Sequence, residues 1–109
     1  MSSELPAVTL VMTTYFPDER RKKVAEKTLR SWQRFLKYQG ELRLHVADDG
    51  SKVSFHPKCY WRGEITRSYQ FREGVGASLN RGFRQGFEVS PIVLYAVDDW
   101  SLVAPLDLT

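Results

Sequence analysis

At 109 residues, with 42% hydrophobic and 13% aromatic content, the chain holds enough apolar material for one core and is one domain or part of one. A net charge of +3 is mildly basic and singles out no partner. No apolar run approaches a membrane span, the start lacks the basic-then-apolar pattern of a secretory signal, and the single cysteine, Cys59, excludes a disulfide framework and fits a reducing cytoplasm.

Ala7 to Met12 is a β-rich apolar run and reads as a first buried strand. It runs into Thr13-Thr14-Tyr15-Phe16-Pro17-Asp18. Pro17 disfavours helical geometry in the residue before it, and Asp18 suits the N-cap or first turn of a helix. From about Glu19 to Tyr38 the pattern is helical. Val24, Ala25, Thr28, Leu29, Trp32, Phe35 and Leu36 form one apolar stripe, and Gly40 is expected at the position just past the helix end. Arg20, Arg21, Lys22, Lys23, Lys27, Arg30, Arg34 and Lys37 fall on the same helix. Such a run is ordinarily a solvated face. Attraction to acidic lipid head groups, nucleic acid or a nucleotide is the functional alternative. Trp32 reads as a core residue.

Leu42 to Ala47 reads as a second strand with Leu42, Leu44 and Val46 on one face, ending in Asp48-Asp49-Gly50-Ser51. The crossover joining the two strands should be right-handed. His45 reads as structural. Lys52 to Gly63 reads as a long loop with room for one helical turn, its aromatic residues Phe55, Tyr60 and Trp61 covering a sheet edge. His56 and Cys59 are too few for a zinc site.

Glu64 to Phe71 alternates apolar and polar residues, as a half-exposed third strand would. A turn over Arg72 to Gly76 leads to a helix from about Ala77 to Phe87, with Leu79, Phe83 and Phe87 spaced to pack together. Gly82 and Gly86 interrupt it at about 1 kcal/mol each, which predicts close approach to the sheet or to a ligand. Ser90-Pro91 closes that helix. Ile92 to Val97 is apolar on both alternating faces and suits a central strand of a parallel sheet. It stops abruptly at Asp98-Asp99-Trp100.

Gly74-Val75-Gly76 lacks the third glycine of a dinucleotide fingerprint, since Leu79 stands there, and it lies outside the first strand-to-helix turn. The chain has no Gly-x-Ser-x-Gly elbow, and Cys59 has no partner set, so nucleophilic hydrolase chemistry is not indicated. What remains is a spaced constellation. Thr13-Thr14-Tyr15, Asp48-Asp49 and Asp98-Asp99 follow three strands, and in a parallel sheet these points share the carboxyl edge where open α/β sheets bind ligands. Hydroxyls, an aromatic face, a hydrogen-bonding carboxylate and a carboxylate pair for a hard divalent cation suit a nucleoside diphosphate. The plainer reading of an aspartate pair at a strand end is a solvated turn.

Four stretches together resemble the N-terminal, nucleotide-binding half of a family 2 glycosyltransferase of the GT-A fold. They are Val8 to Tyr15, Val46-Ala47-Asp48-Asp49-Gly50-Ser51, Gly74 to Gly82, and Tyr95-Ala96-Val97-Asp98-Asp99. The resemblance implies a Rossmann-like α/β fold. Its mostly parallel sheet would have about four strands, order 3-2-1-4, with helices on both faces. It puts Thr13, Thr14 and Tyr15 beside the base and ribose, Asp49 on the base, and Asn80 and Arg81 near the nucleotide. Asp98 would touch the nucleotide and, with Asp99, hold Mn²⁺ or Mg²⁺. The implied donor is a nucleotide-diphosphate sugar, UDP-linked by expectation, with an unassigned acceptor. No nucleic-acid partner is expected. Peripheral membrane contact and self-association through an exposed sheet edge stay open.

The chain departs from the family at Leu79, where a basic residue is common, at the 52–63 loop, which replaces a helix, and at Trp100. It also stops at Thr109, where family members continue with acceptor contacts and, in inverting enzymes, a catalytic base. The expectation is therefore nucleotide binding with little sugar transfer by this chain alone. Two other classes compete: a non-catalytic nucleotide-binding or protein-interaction module, and a receiver-type domain. The receiver reading is weaker, because Thr13-Thr14 stands where its first acid pair belongs.

Overall fold

The first apolar run folds as β1, Val8–Thr14, and all seven of its residues are buried. The burial follows from its position: β1 pairs in parallel on one side with β3, Leu42–Asp48, and on the other with β5, Ile92–Val97. β3 pairs in turn with β4, Glu64–Tyr69, so the four-strand sheet has the order β4-β3-β1-β5, every pair parallel. This computed structural model describes residues 5–70 and 75–108, with the backbone alone for 75–79 and 89. Phe71 to Gly74, expected to end a strand and form a turn, lie outside the described residues.

Helix α1, Glu19–Phe35, starts at the N-cap Asp18, whose Oδ1 accepts from the Arg21 backbone N–H at 3.0 Å. Its buried stripe is Ala25, Thr28, Leu29 and Trp32. They pack with Leu10, Met12, Leu44, Val46 and Ala96, the residues that the strands turn toward one face of the sheet. A fully buried leucine such as Leu29 contributes on the order of 1.5–3 kcal/mol. Phe55 and Trp61 join this core from the 52–63 loop, rather than covering a sheet edge as expected. Phe16 meets Phe55 edge-on, with ring centroids 5.2 Å apart.

Helix α2, Val75–Val89, packs on the opposite face. A Cβ on Gly82 would lie 2.6 Å from Val11 Cγ1, and one on Gly86 would lie 3.1 Å from Val11 Cγ2 and from Val93 Cγ2. The glycines therefore mark close approach of helix to sheet. On this face His45 is 1% exposed and sits between the hydroxyls of Thr66, 2.7 Å from Nδ1, and Ser68, 3.0 Å from Nε2. Burial holds its imidazole below the usual histidine range.

Four expectations about these elements are corrected. Among the described residues β5 pairs only with β1 and lies at the edge of the sheet, not in a central place. Its residues are half-buried apart from the buried Ala96 and the exposed Ile92. Val24 is exposed, so the buried stripe of α1 begins at Ala25. And α1 ends at Phe35, short of Tyr38: Leu36 turns extended, and Leu36–Lys37 form β2, paired in parallel with β6, Leu106–Asp107. Gly40 does not cap it; Gly50 is the described glycine with a positive φ, 83°. Among the described residues, no helix is long and apolar enough to cross a membrane.

Candidate functional site

Register brings three strand ends level. Thr14 pairs with Asp48, and Thr13 with Val97. The next residues of β1, β3 and β5 are therefore Tyr15, Asp49 and Asp98, side by side along one edge. A cleft of about 290 Å³ opens there, lined by Thr13, Tyr15, Arg21, Asp49 and Asp98 among others.

The two aspartates after β3 do different work. Asp48 is consumed by its own turn. Its Oδ1 accepts from the hydroxyls of Thr14 (2.6 Å) and Ser51, and its Oδ2 accepts from the backbone N–H groups of Gly50 (3.1 Å) and Ser51 (2.8 Å). Ser51 Oγ in turn accepts from the Phe16 N–H at 2.8 Å, tying the turn to the chain leaving β1. Gly50 supplies the left-handed backbone that this turn needs. Asp49 faces the cleft. It is 7% exposed, and its Oδ1 accepts from Gln70 Nε2 at 3.1 Å. Thr14, also in the cleft wall, has given its hydroxyl to Asp48, and the Thr13 hydroxyl lies 3.1 Å from that of Tyr95.

On the other side of Tyr15, Asp98 is 2% exposed. Its Oδ2 accepts from the Tyr15 N–H at 3.2 Å and its Oδ1 from Arg21 Nη2 at 2.6 Å. Burial pushes the Asp98 carboxyl above its ordinary range, against the pull of Arg21 and of the Tyr15 N–H. The contact with Asp98 raises Arg21 in turn. Asp99 Oδ2 lies 3.6 Å from the same Nη2, and its side chain is half exposed. The turn carrying both acids closes with the Trp100 N–H donating to the Val97 carbonyl at 3.0 Å. It is then clamped on α1: the Leu102 N–H donates to Ser31 Oγ at 2.9 Å, and Trp32 Nε1–H donates to the Trp100 carbonyl.

Asn80 and Arg81 stand apart from the cleft walls. Asn80 is exposed on α2, and Arg81 Nη1 donates to the Tyr69 carbonyl at the end of β4, at 3.0 Å. Gly74 lies outside the described residues. Arg21 and Gln70 belong to the site, and the sequence reading missed both. A cation in the first turn of a helix opposes the macrodipole, but Arg20, Arg21 and Lys22 share that place and the signal does not single out Arg21. Gln70 left no signal.

A divalent cation fits the donor chemistry of Asp98 and Asp99. Mg²⁺-type ions commonly take one or two carboxylates and complete their shell with water and substrate phosphate. Among the described residues, no three His, Cys, Asp or Glu side chains cluster as a protein-only metal cage. The guanidinium of Arg21 lies against both carboxylates. No protein-family model matches the chain, and no curated protein matches it.

Proposed function

We propose that the chain is the nucleotide-binding half of a glycosyltransferase resembling family 2 of the GT-A fold, holding a nucleotide-diphosphate sugar whose sugar passes to an acceptor. The observation that carries this reading is the meeting of Tyr15, Asp49 and Asp98 on one cleft, from three separate strand ends. Asp49 would accept a hydrogen bond from the base or ribose. Thr13 and the ring of Tyr15 would bound the nucleoside. Asp98 and Asp99 would hold Mn²⁺ or Mg²⁺ against the diphosphate. When bound, such an ion supplies Lewis-acid stabilisation of the leaving diphosphate. Asn80 and Arg81 would serve the nucleotide only from beyond these walls. UDP is the expected carrier, and a reducing cytoplasm the expected setting.

Calorimetric titration with UDP and GDP, with and without Mn²⁺, tests the proposal on the wild type and on Asp49→Ala. The reading predicts metal-enhanced binding of one nucleotide, weakened at least tenfold by the substitution, as loss of a hydrogen bond made by a charged group implies. Equal binding by both proteins would remove Asp49 from the site, and no binding by the wild type would end the reading.

A second reading, a non-catalytic module that associates with itself or another protein, rests on the β5 side of the sheet. There Ile92, Phe87 and Trp100 are exposed beside a strand whose outer edge is unpaired among the described residues. A concentration-dependent dimer on a sizing column, with no nucleotide affinity, would favour it.

A further inference from the structure

Arg21 is placed where a mobile cation would otherwise sit. Its Nη2 lies 2.6 Å from Asp98 Oδ1 and 3.6 Å from Asp99 Oδ2. A divalent ion bonding those oxygens at about 2.1 Å needs the same volume, so ion and guanidinium exclude each other. Without a cation beside them, Asp98 and Asp99 would set two neighbouring carboxylates against each other, one of them almost wholly buried. The Tyr15 N–H holds Asp98 Oδ2 independently, so the carboxylate keeps its aim when Arg21 leaves. Arg21 is able to leave: its side chain is 39% exposed. It also has somewhere to go. Among the described residues its side chain is engaged only through Nη2. Nε–H and Nη1–H are left for the oxygens of an anion in the cleft that Arg21 lines.

We propose that Arg21 is a resident counter-cation: it neutralises Asp98 and Asp99 in the empty site, and it gives way to a divalent ion by turning to the phosphates that arrive with that ion. The proposal rests on the nucleotide-binding reading for its second half only. It makes the metal and the diphosphate bind cooperatively, because the ion alone must displace Arg21 with no new partner for it, while the two together supply one. The coupling is reciprocal: each ligand tightens the other by the same factor.

The test is calorimetric titration with Mn²⁺ alone, with UDP alone, and with both, on the wild type, Arg21→Gln and Arg21→Lys, each checked for a native thermal melt. The expected result is tighter Mn²⁺ binding by Arg21→Gln in the absence of nucleotide, by about tenfold, a typical coupling factor. The Mn²⁺–UDP cooperativity of the wild type is lost in the same variant. Arg21→Lys, which keeps the charge but not the fork, stays close to the wild type for Mn²⁺ alone. A structural role alone would weaken Mn²⁺ binding or leave it unchanged in Arg21→Gln, and either outcome overturns the proposal even if the wild type binds UDP. Failure of every protein to bind UDP with Mn²⁺ overturns both the hand-over to phosphate and the nucleotide-binding reading. It leaves the Mn²⁺ comparison to decide the counter-cation role by itself.

Discussion

The indole N–H of Trp32 donates to the carbonyl of Trp100 at 2.7 Å, so a residue in the core of α1 anchors the chain directly after the acid pair. The side chain that looked purely apolar in the sequence has a polar end, and that end holds the turn bearing Asp98 and Asp99. Trp32→Phe keeps most of the packing and removes the donor. It should lower stability by about 1 kcal/mol, the usual net worth of one part-buried hydrogen bond, and it should weaken Mn²⁺ binding through the loosened turn. Urea denaturation and Mn²⁺ titration check the two effects separately. An unchanged urea midpoint would show that the bond adds nothing.

The two aspartates after β3 should separate in their effects. Asp48 accepts from Thr14, Gly50 and Ser51, so Asp48→Ala strands several donors and should cost about 2 kcal/mol or more of folding stability. Asp49→Asn keeps its size and its acceptor oxygen for Gln70. It should cost less stability than Asp48→Ala while altering which nucleotide base binds. Equal loss of stability in both variants would contradict this division of labour.

Gly82→Ala carries opposing effects. Alanine gains about 1 kcal/mol of helix propensity, but its Cβ would be 2.6 Å from Val11 Cγ1 and 3.3 Å from Ala47 Cβ. Val11 is fully buried and branched at Cβ, so it has little room to yield. Overpacking of this kind costs about 1–3 kcal/mol and occasionally more, so the net change should be destabilising. At Gly86 the nearest methyls are 3.1 Å away and the net loss should be smaller. Denaturant midpoints of the two variants rank them directly.

Stability should fall on mild acidification through His45. Burial lowers its pKa in the fold below the ordinary value of 6.5. Between those two values the unfolded chain binds the proton and the folded one does not, so stability rises with pH across the window and is lost as pH falls below about 6.5. Asp98 acts in the opposite sense at lower pH, since its raised pKa lets the fold take up a proton more readily than the unfolded chain. The difference between wild type and His45→Gln, in urea midpoints at pH 5.5 and 7.5, isolates the histidine. A wild-type slope no steeper than that of the variant would refute the assignment.

Three of the sheet strands, β1, β3 and β5, were legible as apolar runs bounded by turn residues and β4 by its apolar–polar alternation, and faces are what such patterns report. What lies beside a strand is not encoded in the same way, and β5 reads like a central strand for that reason. The short pairing of Leu36–Lys37 with Leu106–Asp107 was invisible. Two residues carry no periodicity, and the partner lies far along the chain. Val24 matched the helical spacing, yet it points away from the core, because a stripe is wider in sequence than the surface it meets. Within the site, Thr13, Tyr15, Asp49, Asp98 and Asp99 could be named from strand ends alone. Arg21 could not, because it was one of four consecutive cations, Arg20 to Lys23, and only the three-dimensional position of Asp98 distinguishes it.

The glycine pair of α2 also has a bearing on motion. A helix lying on a sheet through bulky side chains can slide by exchanging one interlocking arrangement for another. Here the Val11 methyls sit in two notches in the helix surface, and an axial shift of a single residue would drive a neighbouring Cβ into them. The helix is keyed to β1 like a bolt in its slot, so ligand-driven rearrangement at the cleft has to come from side chains and turns instead of from this helix gliding over the strands.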